Sequence, residues 1–167
     1  MTDAEFQTAF EQHKDAVYRF AWRMSGSETA AADITQDVFV ALLRDAARFD
    51  PARGTLRAFL LGIARNLAFK HWRTEHRFEP LDDEAGVVEP VDLERGEIGE
   101  IVGRAVRALW PLQREVVILA EYEGLTLAEI ARAVDADVGT VKSRLHRARE
   151  NLRRTLAPLV GRQPTMR

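Results

Sequence analysis

Apolar residues recur along most of this chain at the three- and four-residue spacing of amphipathic helices, and strand-like alternation is rare. In the first part, FEQHKDAVYRFAWRM, DITQDVFVALLRDAARF and LRAFLLGIARNLAFKHW carry that period, which predicts helices over residues 3–24, 28–47 and 55–73. Ser25-Gly26-Ser27 separates the first pair, with Ser27 as the N-cap, and Asp50-Pro51 with Gly54 marks the second break. Further on, the period returns and predicts helices over 98–109, 112–122, 127–134 and 138–156, with Pro111 near the first turn of the second, where its missing N–H costs nothing. Between the two sets, TEHRFEPLDDEAGVVEPVDLERGEIGE holds neither period. The predicted fold class is all-α: two small helical domains, residues 1–74 and 98–167, joined by an acidic flexible linker over 75–97, the second domain carrying a helix-turn-helix.

Composition narrows the class. With 46% apolar residues in 167 the chain can build real cores, and with no cysteine it can form neither a disulfide framework nor a thiolate zinc site. The polar, acidic start is unlike a secretory signal, and no apolar run approaches the length of about 18 residues that a membrane span needs. A cytoplasmic protein with no membrane insertion is expected. The formal net charge of −2 conceals a partition: residues 1–73 hold 10 Lys+Arg against 9 Asp+Glu, residues 74–100 hold 2 against 10, and residues 101–167 hold 12 against 7. Local basic surfaces therefore coexist with an acidic average, and the local field is what a polyanion meets. The acidic middle reads either as a solvated tether or as a segment that shields a basic surface.

The most basic stretch, DVGTVKSRLHRAREN, follows a capping-box pattern, Thr126-Leu-Ala-Glu129, which starts a short helix. Asp135-Ala136-Asp137 breaks that helix, and Asp137 is placed to cap the next. A short helix, a tight turn and a longer basic helix is the helix-turn-helix arrangement. Stepping about 100° per residue from Val141 puts Leu145, Ala148 and Leu152 on the buried side. Gly139, Thr140, Lys142, Ser143, His146 and Arg147 then face outward, with Arg144 and Arg149 at the flanks as phosphate contacts. A small residue lets the backbone approach a major groove, hydroxyls hold phosphates, and Lys or Arg donate to guanine edges. The plainer alternative is a solvated helix face, but Glu150 is the one acid within residues 138–156 to pair with those cations.

Residues 53–73 hold Arg53, Arg57, Arg65, Lys70 and Arg73 with no acid among them, interleaved with Phe59, Phe69 and Trp72. Asn66 and Lys70 share a face. Cations beside aromatics suit a single-stranded or melted nucleic acid; the rings taken alone read more readily as core than as stacking platforms, and it is the acid-free charge run that favours the nucleic acid. In the preceding helix, Ile34, Val38, Phe39, Leu42 and Leu43 are expected to point inward. Asp33, Asp37, Val40 and Arg44 cluster on the other side, an apolar anchor in a polar rim such as a protein-docking surface presents.

Taken in order, DITQDVFVALL, FLLGIARNLAFKHWR and GLTLAEIARAVDADVGTVKSRLHRAREN, the last preceded by an acidic linker, resemble the bacterial sigma factors of the extracytoplasmic-function group, the two-domain members of the sigma-70 family. The resemblance covers about 130 residues in two blocks. It implies a dissociable RNA polymerase subunit that directs the enzyme to promoters and helps open the DNA. By that likeness Asp33, Gln36, Asp37, Val40 and Arg44 would dock on the clamp helices of the largest polymerase subunit. The loop over 50–57 would capture a base flipped out of the minus 10 element, with Asn66 and Lys70 nearby. Flipping costs a few kcal/mol of unstacking, so a fitted pocket is needed to offset it. Lys142, Ser143, His146 and Arg147 match positions that contact the minus 35 element. The helix with Val116, Val117, Leu119 and Ala120 would lie near the flap of the second-largest subunit. An anti-sigma factor is implied as a further partner.

Two departures stand out. Lys70 takes the place of the acid or amide frequent in the family's IARNLA-x-D phrase, which strengthens phosphate contact. Ala120 stands where some members carry a DNA-contacting Arg. After the helix-turn-helix only about ten residues remain, so no C-terminal sensory extension is expected. No enzyme activity, metal or cofactor is expected either, since Asp33 and Asp37 lack a third ligand and His71 and His76 lie on different faces. The remaining alternative is a stand-alone helix-turn-helix regulator, which leaves the basic aromatic helix of the first domain without a task.

Overall fold

The computed structural model describes residues 1–81 and 86–161. The first three helices each begin where a side chain satisfies an orphan N–H group. Thr2 and Glu5 form a capping box at the head of α1 (Asp3–Ser25). Ser27 Oγ accepts from the Ala30 amide at 3.1 Å to open α2 (Glu28–Arg44), and Thr55 Oγ1 accepts from the Ala58 amide at 3.1 Å to open α3 (Leu56–Glu75). Between α1 and α2 the chain turns at Gly26, whose φ of 68° is left-handed and suits glycine. The end of the predicted second helix tightens instead into a 3₁₀ turn, Ala46–Arg48.

α1, α2 and α3 enclose a core of Val17, Phe20, Ile34, Val38, Leu42, Leu60 and Leu61. Phe39 receives Phe6 and Phe10 edge-on, with centroids 6.3 and 5.0 Å away. Leu43 departs from expectation. It is 62% exposed, because the inward stripe of α2 is already filled by Val38, Phe39 and Leu42 and the helix rotates Leu43 to the Val40 side.

The second group comprises α4 (Ile98–Arg107), α5 (Pro111–Val117), α6 (Leu127–Ala133) and α7 (Val138–Val160). The helix predicted over 112–122 changes hand-over at Val117: Ile118–Tyr122 is a π-turn, in which the Glu123 amide reaches back to the Ile118 carbonyl at 3.1 Å. α7 continues past the predicted end, with Pro158 inside its last turn. All seven residues of α5 are buried, including Gln113, Arg114 and Glu115. Val116, Val117 and Leu119 are core residues in this arrangement, with Ala120 half-buried, so the apolar positions expected beside the polymerase flap are not surface here.

The two groups pack directly on each other, and one hydrophobic cluster runs through both. α3 lies against α6, and α1 against α4 and α5. The segment expected to be a flexible linker is pinned where it is described. The Val88 amide donates to the Ala108 carbonyl at 2.7 Å, and Arg104 Nη2 donates to the Asp92 carbonyl at 3.1 Å. The acids at 82–84, counted above as part of that linker, lie outside the described residues, as do residues 162–167.

Candidate nucleic-acid interface

The helix-turn-helix is built by two caps and one strained residue. Thr126 and Glu129 complete the expected capping box of α6, with N···O distances of 3.0 and 3.1 Å. In the turn Asp135 adopts a φ of 52°, a conformation that short polar side chains tolerate better than most. Asp137 Oδ1 then accepts from the Thr140 amide at 2.7 Å and starts α7. That backbone bond, with a smaller contribution from the Thr140 side chain, holds the Asp137 carboxyl below its ordinary value.

On α7 the buried side is Val141, Leu145 and Ala148, as the periodicity indicates, with Leu152 half-buried. Asn151 is buried next to it, its Nδ2 donating to Gln113 Oε1 of α5 at 2.7 Å. Gly139, Lys142, Ser143 and His146 are exposed, while Thr140, Arg144 and Arg147 are half-buried. Arg149 is exposed and donates to Glu121 Oε1 through Nε at 3.0 Å and Nη2 at 2.5 Å. An acid distant in sequence thus reaches this helix as well as Glu150.

α3 gives a more divided picture. Arg53, Asn66, Lys70 and Arg73 are exposed. Arg73 Nη1 donates to the Glu79 carbonyl at 2.9 Å, and its guanidinium lies 5.4 Å from the Trp72 ring. Arg57 and Arg65, by contrast, turn toward the second group. Arg65 grips Glu115 with two donors, Nε at 2.5 Å and Nη2 at 3.1 Å, and stacks 4.3 Å from the Phe69 ring. Arg57 Nη2 donates to Glu123 Oε2 at 2.5 Å, with Arg19 and Arg23 of α1 at 3.6 and 3.8 Å from the same carboxylate. The side chains of Glu115 and Glu123 are both 0% exposed.

The stretch without acids in the sequence is therefore supplied with two from elsewhere in the fold. Trp72 is likewise engaged, edge-on to Trp110 at 6.2 Å and stacked on His76 at 4.6 Å. Phe59 packs on Phe49 at 5.5 Å. Where the loop over 50–57 meets α6, a cleft of about 690 Å³ opens between Phe49, Arg53, Phe59 and Asn66 on one side and Ala133 and Asp135 on the other.

The outer face of α2 gathers Asp33, Gln36, Asp37, Val40 and Arg44, all exposed, and adds Leu43. Leu43 could have been found in the sequence, since it stands three residues after Val40 and is its neighbour on the helix surface. Glu115, Glu123, Arg19 and Arg23 were not singled out in the sequence. The available signal was PLQREVVIL, where three polar residues interrupt an apolar run too tightly to reach solvent. Among the described residues no group of three His, Asp or Glu is placed to hold a metal, and no helix is long and apolar enough to cross a membrane.

Comparison with known proteins follows the two helical groups. Residues 9–78 match Sigma-70 region 2, and residues 99–152 match Sigma-70 region 4. The chain is 34% identical over 154 residues to the ECF RNA polymerase sigma factor SigE of Mycolicibacterium smegmatis, covering 87% of this chain and 59% of SigE. It is 30% identical over 159 residues to BldN of Streptomyces coelicolor, covering 90% of this chain and 60% of BldN, so it spans about three fifths of those two relatives. Against the sigma factor RpoE of Bartonella quintana, solved in complex with the anti-sigma factor NepR, the TM-score is 0.73 at 25% identity, covering 92% of this chain and 97% of that one. CnrH, solved with the cytosolic domain of CnrY, gives 0.71 at 27% identity, covering 94% and 90%. SigK of Mycobacterium bovis matches over 161 residues at 30% identity, covering 92% of this chain and 86% of SigK, and on that match the chain belongs to the ECF RNA polymerase sigma factors.

Proposed function

We propose that this chain acts as a promoter-specificity subunit of RNA polymerase, working in the cytoplasm without enzymatic chemistry of its own. α7 reads the minus 35 element through Lys142, Ser143, His146 and Arg147. Gly139 and Thr140 allow close approach, and Arg144 and Arg149 contribute at phosphates. Arg53, Arg57, Arg65, Asn66, Lys70 and Arg73 serve the minus 10 element and its melted strand, and the cleft beside Phe49, Arg53 and Asn66 receives a base flipped from the stack. Asp33, Gln36, Asp37, Val40 and Arg44 dock on the clamp helices of the largest subunit, joined by Leu43. The second helical group meets the flap of the second-largest subunit, and an anti-sigma factor is the regulatory partner, in line with the complexes of RpoE and CnrH. Residues 1–74 and 98–167 are the two working domains, and 75–97 connects them.

The observation that carries this reading is the pairing, in one chain, of a groove-reading helix with a basic aromatic helix that a duplex-only regulator does not need. Run-off transcription with core polymerase over a genomic promoter library, with and without the protein, tests it. Initiation that depends on both is expected. Tight dimeric binding to palindromic duplex with no polymerase-dependent initiation would favour a stand-alone regulator instead.

A further inference from the structure

One residue of the segment expected to be a linker is displayed rather than packed. Phe78 is 94% exposed, whereas Tyr18, Trp22 and Tyr122, the next aromatic side chains in exposure among the described residues, stop at 38%. A ring left in water forgoes the free energy that burying it would return. A single exposed ring carries little meaning until something holds it there.

Here the backbone does so. The His76 amide donates to the Trp72 carbonyl at 2.9 Å as α3 ends, and the His76 ring stacks on that of Trp72. The Glu79 amide then donates to the His76 carbonyl at 3.2 Å, which closes a β-turn with Arg77 and Phe78 at its centre. From the other side Arg73 Nη1 donates to the Glu79 carbonyl at 2.9 Å. The turn is thus tied to α3 at both ends, and Pro80 stiffens the chain beyond it. Asn66, Lys70 and Arg73 share one side of α3, Arg77 follows in the turn, and all four are exposed. Two exposed acids, Glu75 and Glu79, stand among them, so the stretch is only weakly positive. Its distinguishing feature is the ring.

We infer that Phe78 is a base-stacking platform for a single DNA strand, placed where that strand leaves the polar edge of α3. The cations follow the strand's backbone, and the ring takes the face of one base, which any base offers. The strand path then extends past α3 onto the first residues of the connecting segment. This inference rests on the reading of α3 as a strand-binding face.

Full-length protein titrated with short random-sequence single-stranded DNA at several fixed salt concentrations tests it, since Lys70, Arg73, Arg77 and Phe78 are all exposed in the arrangement described. Phe78→Ala should weaken binding at least about fivefold, the low end of what losing one base stack costs. The slope of affinity against salt should stay at the wild-type value, because no cation is removed. Phe78→Leu keeps apolar bulk without a ring and should lose as much, while Phe78→Trp should restore wild-type affinity or better. Ile98→Ala, at another exposed apolar position, should change nothing. Unchanged affinity in Phe78→Ala would overturn the proposal, as would full affinity in Phe78→Leu, a shifted salt slope, or no strand binding by wild type. If Phe78→Ala keeps the strand but loses retention on immobilised core polymerase, the ring belongs to a protein contact instead. Run-off transcription is read in parallel. Ring-dependent strand binding without any run-off activity would sink the promoter-subunit reading and leave the platform standing; run-off activity with Phe78→Ala gripping the strand as wild type does would sink the platform alone.

Discussion

Arg114 is 7% exposed and carries a full charge. Its Nη1 donates to the Met24 carbonyl at 2.5 Å, in the last turn of α1, while Nε and Nη2 donate to the Leu109 carbonyl at 3.2 and 2.8 Å. A cation from the second group thus satisfies the C-terminal carbonyl end of a helix in the first, where the helix dipole favours positive charge. Burial, and then the neighbouring Arg107, lower its pKa to about 10, which leaves it protonated at neutral pH. Arg114→Met keeps the bulk and removes every donor. It should lower stability by roughly 2–3 kcal/mol, read as a reduced urea midpoint, because charge-assisted bonds are lost and a buried carbonyl is stranded. An unchanged midpoint would deny the contact any weight. Arg147 offers the contrasting case of a residue proposed to act in recognition. Arg147→Ala should cost about 1–3 kcal/mol at one minus 35 position if the side chain forks onto a guanine. Base preference measured across all minus 35 variants checks this, and an unaltered profile would remove Arg147 from the reading set.

α2 and α7 show how far element-level pattern reaches. The inward stripe of α7 was legible because Val141, Leu145 and Ala148 repeat at helical spacing, and the outer face follows from it by geometry alone. In α2 the same logic misplaced Leu43, since an apolar residue at the edge of a filled stripe can point either way until neighbours are known. Once placed outside, Leu43 and Val40 form an apolar pair among charges. Val40→Glu with Leu43→Glu should change folding stability within about 0.5 kcal/mol, as exposed substitutions do. The same pair should abolish retention by immobilised core polymerase, and retention at the wild-type level would refute the docking surface. At the head of α7 the sign of a pH effect follows from the cap. Asp137 has a folded pKa below its unfolded value, so its contribution is complete above that unfolded value and is lost as pH falls through the folded one. Carboxyl chemical shifts of Asp137 should therefore titrate at lower pH than those of an unstructured aspartate. Asp137→Asn, still a good cap, should remove the step without abolishing α7.

At the scale of the molecule, pattern alone could not reveal how the two groups sit together. Residues 53–73 looked bare of acids because their partners, Glu115 and Glu123, lie some 50 and 66 positions away in sequence. Helical periodicity reports which side of a helix is apolar, and an interface built from Arg, Glu and Gln beside apolar residues is invisible to it. The composition of that interface also sets its strength. Buried ion pairs roughly cancel their own desolvation, so Glu115 and Glu123 add little net stability to the seam between the groups. The cores of each group, filled by residues such as Phe20, Leu61, Ile118 and Ile130, carry no such weakness. Unfolding should therefore begin by parting the groups. The chain's three tryptophans are placed to see it: Trp22 lies 4.8 Å from the Arg107 guanidinium across the interface, and Trp72 meets Trp110. In a urea titration, tryptophan emission should shift to the red before helical circular dichroism declines, giving two midpoints. Coincident transitions would mean that the two groups and their interface melt as one unit, with the buried carboxylates held as firmly as the cores.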